Sequence, residues 1–214
     1  MDRLKPISLS PLRVAVLLGG DSAEREISLQ SGEAVSRAIA GQGHSVIQVD
    51  PADTDLSSFG WSSIDVAFLA LHGTFGEDGG VQKILEQHGV SFTGSNSVAS
   101  RLAFSKVAAK ESFVQAGILT PPAVSFSAPL NTERDLTAKV KKIGFPVVVK
   151  PDAQGSSIGV TIVQNEADLG EAIGNCVAIS EMGLIEKAID GSEWTLGVID
   201  DSPLPLIQIS TDRS

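Results

Sequence analysis

Phe145-Pro146-Val147-Val148-Val149-Lys150-Pro151-Asp152-Ala153-Gln154-Gly155-Ser156-Ser157-Ile158-Gly159-Val160 joins a short apolar run to a lysine and then to a Gly/Ser loop. The apolar run reads as a buried β-strand, which carries the Lys150 ammonium out of the core at its end. Gly155 and Gly159 permit sharp turns, and Ser156, Ser157 and the loop's backbone N–H groups offer donors to anionic oxygens. This is a backbone suited to wrapping phosphate. Neither Gly-x-Gly-x-x-Gly after a strand nor Gly-x-x-x-x-Gly-Lys-Ser/Thr is present, so a nucleotide site here is of another type.

Outward from that stretch the chain alternates strands and helices. Arg13 to Leu18 reads as a central parallel strand ending in Gly19-Gly20, followed by a helix in which Asp21 and Glu24 resemble a capping pair. Ile27, Ala34, Val35, Ala38 and Ile39 are assigned to the helix's apolar face. Ser45 to Val49 and Val66 to Ala70 are further strands, the βαβ pattern of an open sheet whose ligands sit beyond the strands' carboxyl ends. The glycine-rich loop Leu71 to Gly80 leads into a helix from Val81 to His88, and Val90 to Phe92 reads as a fourth strand. One long helix is expected from Ser97 to Gln115, with Thr120-Pro121-Pro122 breaking the chain before a strand at Ala123 to Phe126.

The second unit then reads as helix Thr132 to Lys142, strand Pro146 to Lys150, the Gly/Ser loop, strand Val160 to Val163, helix Glu166 to Ile173 and strand Leu184 to Glu186. Glu193 to Ile199 and Leu206 to Ile209 read as strands around the turn Asp200-Asp201-Ser202-Pro203. The expected class is α/β: an open parallel-sheet domain over residues 1–95, an α+β subdomain over 96–190, and the start of a further, incomplete subdomain over 191–214.

A chain of 214 residues that is 42% hydrophobic can bury a real core. Its net charge of −10 argues against nucleic acid or an anionic membrane as a partner. Cys176 is the single cysteine, excluding an internal disulfide and fitting a reducing compartment. Met1 to Leu12 lacks an apolar run of signal-peptide length, and no apolar run is long enough to span a bilayer. A cytoplasmic protein is expected.

Against this acidic background Lys150 and Lys106 stand out as phosphate counter-charges should they converge on one cleft. Taken alone, Lys106 reads as a solvated helical lysine. Glu186 and Lys187 lie on a strand followed by Ile189, a turn and Glu193. Such an edge can read adenine and ribose, but spacing alone favours an exposed Glu/Lys strand edge that blocks edge-to-edge pairing. Glu24, in the first turn of a helix, is explained by capping, with binding of a ligand ammonium as the alternative. His72 follows a core strand in a loop unusually rich in glycine and is read as functional, whereas His44 and His88 are read as surface residues. Glu77-Asp78 are adjacent acids, but no carboxylate cluster with metal-ligand spacing appears.

Together these segments resemble the D-alanine–D-alanine ligases of the ATP-grasp superfamily. Val16 to Ser28, with Gly19-Gly20-Asp21-Ser22-Ala23-Glu24-Arg25, is similar to the family's first signature. Leu71-His72-Gly73 through Gly76-Glu77-Asp78-Gly79 is similar to its second, and Phe92-Thr93-Gly94-Ser95 to its third. Lys150-Pro151 through Gly159 and Leu184-Ile185-Glu186-Lys187 complete five motifs in register.

The resemblance implies that ATP phosphorylates one D-alanine, that a second D-alanine's amine attacks the acylphosphate, and that the dipeptide serves peptidoglycan synthesis. It implies that Lys106 and Lys150, with Ser156 and Ser157 of the closing loop, hold the phosphates, that Glu186, Lys187 and Ile189 form the adenine edge, and that Glu193 binds ribose. Glu24 would meet the first D-alanine's ammonium, with Ser156 assisting as a catalytic partner and His72 nearby. The family also implies Mg²⁺ or Mn²⁺ and a homodimer. Its tyrosine-bearing loop and metal ligands follow the position of Ser214, and the chain contains no tyrosine. The expectation is therefore no metal site within these residues and no dipeptide synthesis by them alone. A non-catalytic ATP- or D-alanine-binding protein and another ATP-grasp carboxylate–amine ligase are the alternatives.

Overall fold

The computed structural model describes residues 10–129 and 133–210. The expected helix start at Thr132 lies outside the described residues, as does the chain from Thr211 to Ser214. Strand β1 (Arg13–Leu17) is followed by α1 (Arg25–Gly41), β2 (Ser45–Val49), β3 (Val66–Leu69) and α2 (Gly80–Gln87). The three strands form a parallel sheet in the order β2-β1-β3. Alternate residues of β1 explain why it lies in the middle. Ala15 and Leu17 join Trp61, Val81 and Leu85 on one side, while Val14 and Val16 meet Leu29, Val35 and Ile39 of α1 on the other. A parallel strand covered on both faces needs this near-continuous apolar run.

The buried face of α1 differs from the expected one. Ser28, Gly32 and Ser36 are buried, whereas Ile27 is 56% exposed. Small residues are needed because α1 lies against β1 closely enough that a Cβ on Gly32 would stand 2.4 Å from Leu18 Cβ. Residues Val90 to Phe92 also fall short of a strand: a single parallel bridge joins Ala67 and Phe92. Thr93 Oγ1 accepts from Leu69 N at 3.0 Å, taking a donor that a continuing ladder would have used.

The expected long helix is two helices, α3 (Ser97–Phe104) and α4 (Lys106–Gln115). Ser105 between them is extended, and its hydroxyl accepts from Ala108 N at 3.1 Å, a serine N-cap restarting the helix. Strand β4 (Ala123–Ser127), α5 (Glu133–Ile143), β5 (Val147–Pro151), β6 (Thr161–Val163), α6 (Leu169–Val177) and β7 (Met182–Lys187) follow. They form an antiparallel sheet in the order β4-β7-β5-β6. Val147, Val149, Val163 and Ile185 pack with Leu136, Val140, Leu169, Ile173 and Cys176 of the two helices. The intervening residues Val148, Lys150, Leu184 and Glu186 belong to the opposite face.

The expected strand from Glu193 to Ile199 is interrupted near Gly197. Strand β8 (Glu193–Thr195) pairs with β11 (Ile207–Ile209), and β9 (Val198–Ile199) with β10 (Ser202–Pro203). Leu204 N donates to Gly197 O at 2.8 Å, so the chain folds into two short ribbons instead of one long hairpin. No helix among the described residues is long and apolar enough to cross a membrane.

Candidate functional site

Lys150 and Glu186 project from neighbouring strands. In the β5–β7 register Val148 faces Glu186 and Lys150 faces Leu184, so the two charged residues are diagonal neighbours on one face. Lys150 Nζ donates to Glu186 Oε1. The other carboxylate oxygen pairs with Lys110 Nζ of α4 at 3.0 Å, and both Lys110 and Glu186 side chains are only 14% exposed. Burial alone would push the Glu186 carboxyl up, but the two ammonium groups outweigh it and hold the carboxyl below the usual range. The reading of Glu186-Lys187 as an exposed strand edge is thereby corrected: β7 is an interior strand. Lys187 N donates to Pro122 O at 3.0 Å, and Lys187 Nζ donates to the carbonyls of Gly144 and Phe145 at 3.1 and 2.9 Å.

Lys106 is the first residue of α4, and the reading of it as a solvated lysine also fails. Its Nζ donates to Asp152 O at 2.9 Å and to Gln154 O at 2.6 Å, at the root of the Gly/Ser loop. Burial lowers its affinity for the proton and the nearby Lys150 charge lowers it further, so its pKa lies below the ordinary lysine value. Asp152 organises this corner and was not singled out from sequence. It is 7% exposed; its Oδ1 accepts from Val107 N at 2.8 Å and its Oδ2 from Ser105 Oγ at 2.9 Å. One carboxylate thus caps α4 and anchors the loop that follows Lys150. The sequence signal was Ser105 immediately before Lys106, a helix-start pattern inside an apparently continuous helix.

Glu24 approaches from the other sheet. The loop after β1 is held by Gly19 N donating to Ser28 Oγ at 2.8 Å and by Ser28 Oγ donating to Ala70 O at 2.8 Å. Asp50 accepts from Gly20 N at 2.9 Å and pairs with Arg25 at 2.8 Å. Glu24 occupies the N-cap position of α1, but its carboxylate makes no cap hydrogen bond, so the capping explanation and the Asp21–Glu24 pair are not realised. Glu24 Oε1 instead accepts from Ser156 Oγ at 2.5 Å, across 132 residues of sequence. Its Oε2 lies where a Cβ on Gly73 would come within 2.6 Å and one on Gly155 within 3.5 Å.

Gly73 follows His72, so three motifs meet at one carboxylate. Ser22 Oγ donates to His72 O at 2.8 Å, and His72 Nε2 is 3.3 Å from Ser31 Oγ. His72 Nδ1 is 3.7 Å from Glu77 Oε1. His72 and Glu77 also line a cleft of about 530 Å³ with Gln82, Thr93 and Phe104. Ser156 and Ser157 both have left-handed backbones, φ 48° and 58°, an uncommon conformation for non-glycine residues that turns the loop back toward Glu24.

The remaining expected residues lie outside this constellation. Ile189 is 70% exposed; Glu193 is exposed and begins β8, opposite Ile209. Among the described residues no group of three or more His, Cys, Asp or Glu could hold a metal ion. The site therefore offers a carboxylate facing a Gly/Ser loop on one side and a cationic strand face on the other, an arrangement that can receive an ammonium and phosphates together.

The family models described as D-ala D-ala ligase N-terminus and D-ala D-ala ligase C-terminus match residues 51–95 and 113–212. A D-alanine–D-alanine ligase of Syntrophotalea carbinolica is 39% identical over 201 residues, covering 94% of this chain and 64% of that protein. One from Desulforamulus reducens is 40% identical over 213 residues, covering 94% and 67%. A crystal structure of the Bacillus anthracis D-alanine–D-alanine ligase complexed with ATP superposes with a TM-score of 0.83 at 30% identity, covering 95% of this chain and 67% of that one. The chain thus spans about two thirds of the length of these relatives. Two ligase models, relatives near 40% identity and a shared backbone converge on the same segments, and the chain belongs to the D-alanine–D-alanine ligase family.

Proposed function

We propose that this chain provides the ATP site and the first D-alanine site of a D-alanine–D-alanine ligase. The hydrogen bond from Ser156 to Glu24 carries the reading, because it joins the phosphate-type loop of one unit to the free carboxylate of the other. Residues 1–95 would hold the amino acid and 96–190 the nucleotide. ATP would lie along the β5–β7 face, with Lys106, Lys150 and the amides and hydroxyls of Ser156 and Ser157 facing its phosphates. Glu186, Lys187 and Ile189 would border adenine, and Glu193 the ribose.

Glu24 would accept from the ammonium of the first D-alanine, with His72 beside it, so that its carboxylate points at the γ-phosphate. Transfer of the γ-phosphoryl group gives ADP and D-alanyl phosphate; the amine of a second D-alanine attacks that carbonyl, and phosphate leaves as the peptide bond forms. Lysines and loop amides neutralise charge that grows on phosphate oxygens. The described residues do not fit Mg²⁺ or Mn²⁺, and no step here is routed through a metal. A homodimer in the cytoplasm is part of the same proposal.

Calorimetric titration of the protein with D-alanine, L-alanine and ATP tests the reading. D-alanine is expected to bind in preference to L-alanine, with Glu24→Gln abolishing amino-acid binding and leaving ATP binding within about threefold. Equal binding of the two enantiomers, or an unchanged D-alanine affinity in Glu24→Gln, would overturn it.

A further inference from the structure

Lys110 is a third lysine at this site, and none of the five family-like motifs contains it. It lies one helical turn after Lys106 on α4, with its ammonium among groups from three parts of the chain. Nζ donates to Glu186 Oε2 at 3.0 Å, to Thr120 Oγ1 at 2.7 Å and to Pro121 O at 2.7 Å. An ammonium has three N–H donors, so all of those of Lys110 are committed. It has none left for a phosphate. Among the described residues Lys150 has Glu186 as its one partner, which leaves two donors for a ligand.

The two lysines sharing Glu186 therefore have different tasks. We propose that Lys110 is a positioning residue of the nucleotide site: it holds Glu186 Oε2, so that Oε1 fixes the Lys150 ammonium on the open face of the sheet. The proposal rests on reading that face as the ATP site. Three properties support it. Lys110 supplies a second positive charge to Glu186, so one carboxylate does not neutralise Lys150 completely. Its bonds to Thr120 and Pro121 fix the ammonium from the segment that enters β4, independently of any ligand. A side chain held at three points loses no further freedom when nucleotide arrives.

The experiment is a double-mutant cycle on ATP affinity, measured by calorimetry with Lys110→Met, Glu186→Gln and the double variant. Circular dichroism and melting confirm folding, and Glu111→Gln on the same helix serves as control. Lys110→Met is expected to raise the ATP Kd about tenfold or more in the native background. In the Glu186→Gln background it should change Kd by less than about twofold, because the residue through which it acts has been altered. Lys110→Arg should rescue only part of the loss, since a planar fork cannot reproduce three divergent contacts.

Equal effects of Lys110→Met in both backgrounds would overturn the positioning role. If Lys150→Met weakens ATP binding while Lys110→Met does not, the Lys110 proposal fails and the nucleotide reading stands. If the native protein does not bind ATP, both fall. Should Lys110→Met not fold, Thr120→Val removes one anchor and keeps the ammonium. It is expected to weaken ATP a few-fold with Glu186 present and not without it; no change in either background would overturn the proposal.

Discussion

In the N-terminal sheet Glu24 and His72 reach the cleft from loops beyond the ends of β1 and β3, whereas in the second sheet Lys150 and Glu186 project from the strands themselves. The central strand β1 of the parallel sheet is covered by apolar side chains on both faces, so ligand-facing groups are supplied from the loops beyond the strand ends. The antiparallel sheet is covered by α5 and α6 on one face, leaving alternate residues of the other free to carry charge. The first arrangement positions a carboxylate by tight glycine turns and loop hydrogen bonds. The second positions ammonium groups by strand register and by a helix laid across the sheet. Each route puts its precision in a different place, and substitutions should reveal the difference.

The largest effects belong to the cores. Leu17→Ala in the first sheet and Ile185→Ala in the second each delete a fully buried side chain and should cost about 2–5 kcal/mol. Because the two residues lie in separate apolar clusters, scanning calorimetry should show each substitution lowering a different part of the unfolding profile. A single transition shifted equally by both would break the description of two units.

Next comes the corner that the second sheet shares with α4. Asp152→Ala leaves Val107 N and Ser105 Oγ without their buried acceptor, a loss of about 1–3 kcal/mol in urea denaturation. Ser156→Ala, on the exposed loop, should leave stability within about 0.5 kcal/mol. If Asp152→Ala is as mild as Ser156→Ala, the anchoring role is wrong.

Acid should act on both units. The Asp50 carboxyl would be raised by burial, but Arg25 and the Gly20 and Ala52 amides hold it below its ordinary value. Hydrogen bonds from Arg13 draw Asp65 down to about 2, and Glu186 is held low by Lys150 and Lys110 despite burial. A carboxyl with a depressed folded pKa contributes stability above its unfolded value of about 4 and loses it as pH falls through the folded value. Stability followed by fluorescence of Trp61 and Trp194 should thus fall progressively between about pH 4 and pH 2. Stability constant over that interval would contradict the three pairings.

Much of this organisation was legible in the chain. The apolar run before Lys150 and the glycines after it identified both strand and loop, because each depends on local chemistry. Two misreadings share one cause. Apolar character assigns Ile27 to the apolar face of α1, and the sequence pattern gives a long helical stretch from Ser97 to Gln115. In both places small residues decide the structure: Ser28, Gly32 and Ser36 let α1 approach β1, and Ser105 restarts a helix against Asp152.

Lys110 and Asp152 could not be seen from spacing. The carboxylate that Lys110 holds is 76 residues away, and the groups that bind the Asp152 carboxylate are 45 to 47 residues away, so only the folded chain joins them. Glu24 was recoverable from the family resemblance, not from its own surroundings in sequence. The smallest predicted effect follows from the α1 correction: Ile27→Lys, on an exposed face, should change stability by less than about 0.5 kcal/mol, where burial of Ile27 would predict several times that loss.

Whether both units face one ligand site joined by the Gly/Ser loop is decided by amide NMR during titration with a non-hydrolysable ATP analogue. Saturable shifts are expected at Lys106, Val107, residues 154–159 and residues 186–189, followed by Glu24 and His72 across the Ser156 contact, with β2 and the outer face of α1 unchanged. Saturable shifts confined to one unit, or shifts spread over the surface without saturation, would contradict one shared site.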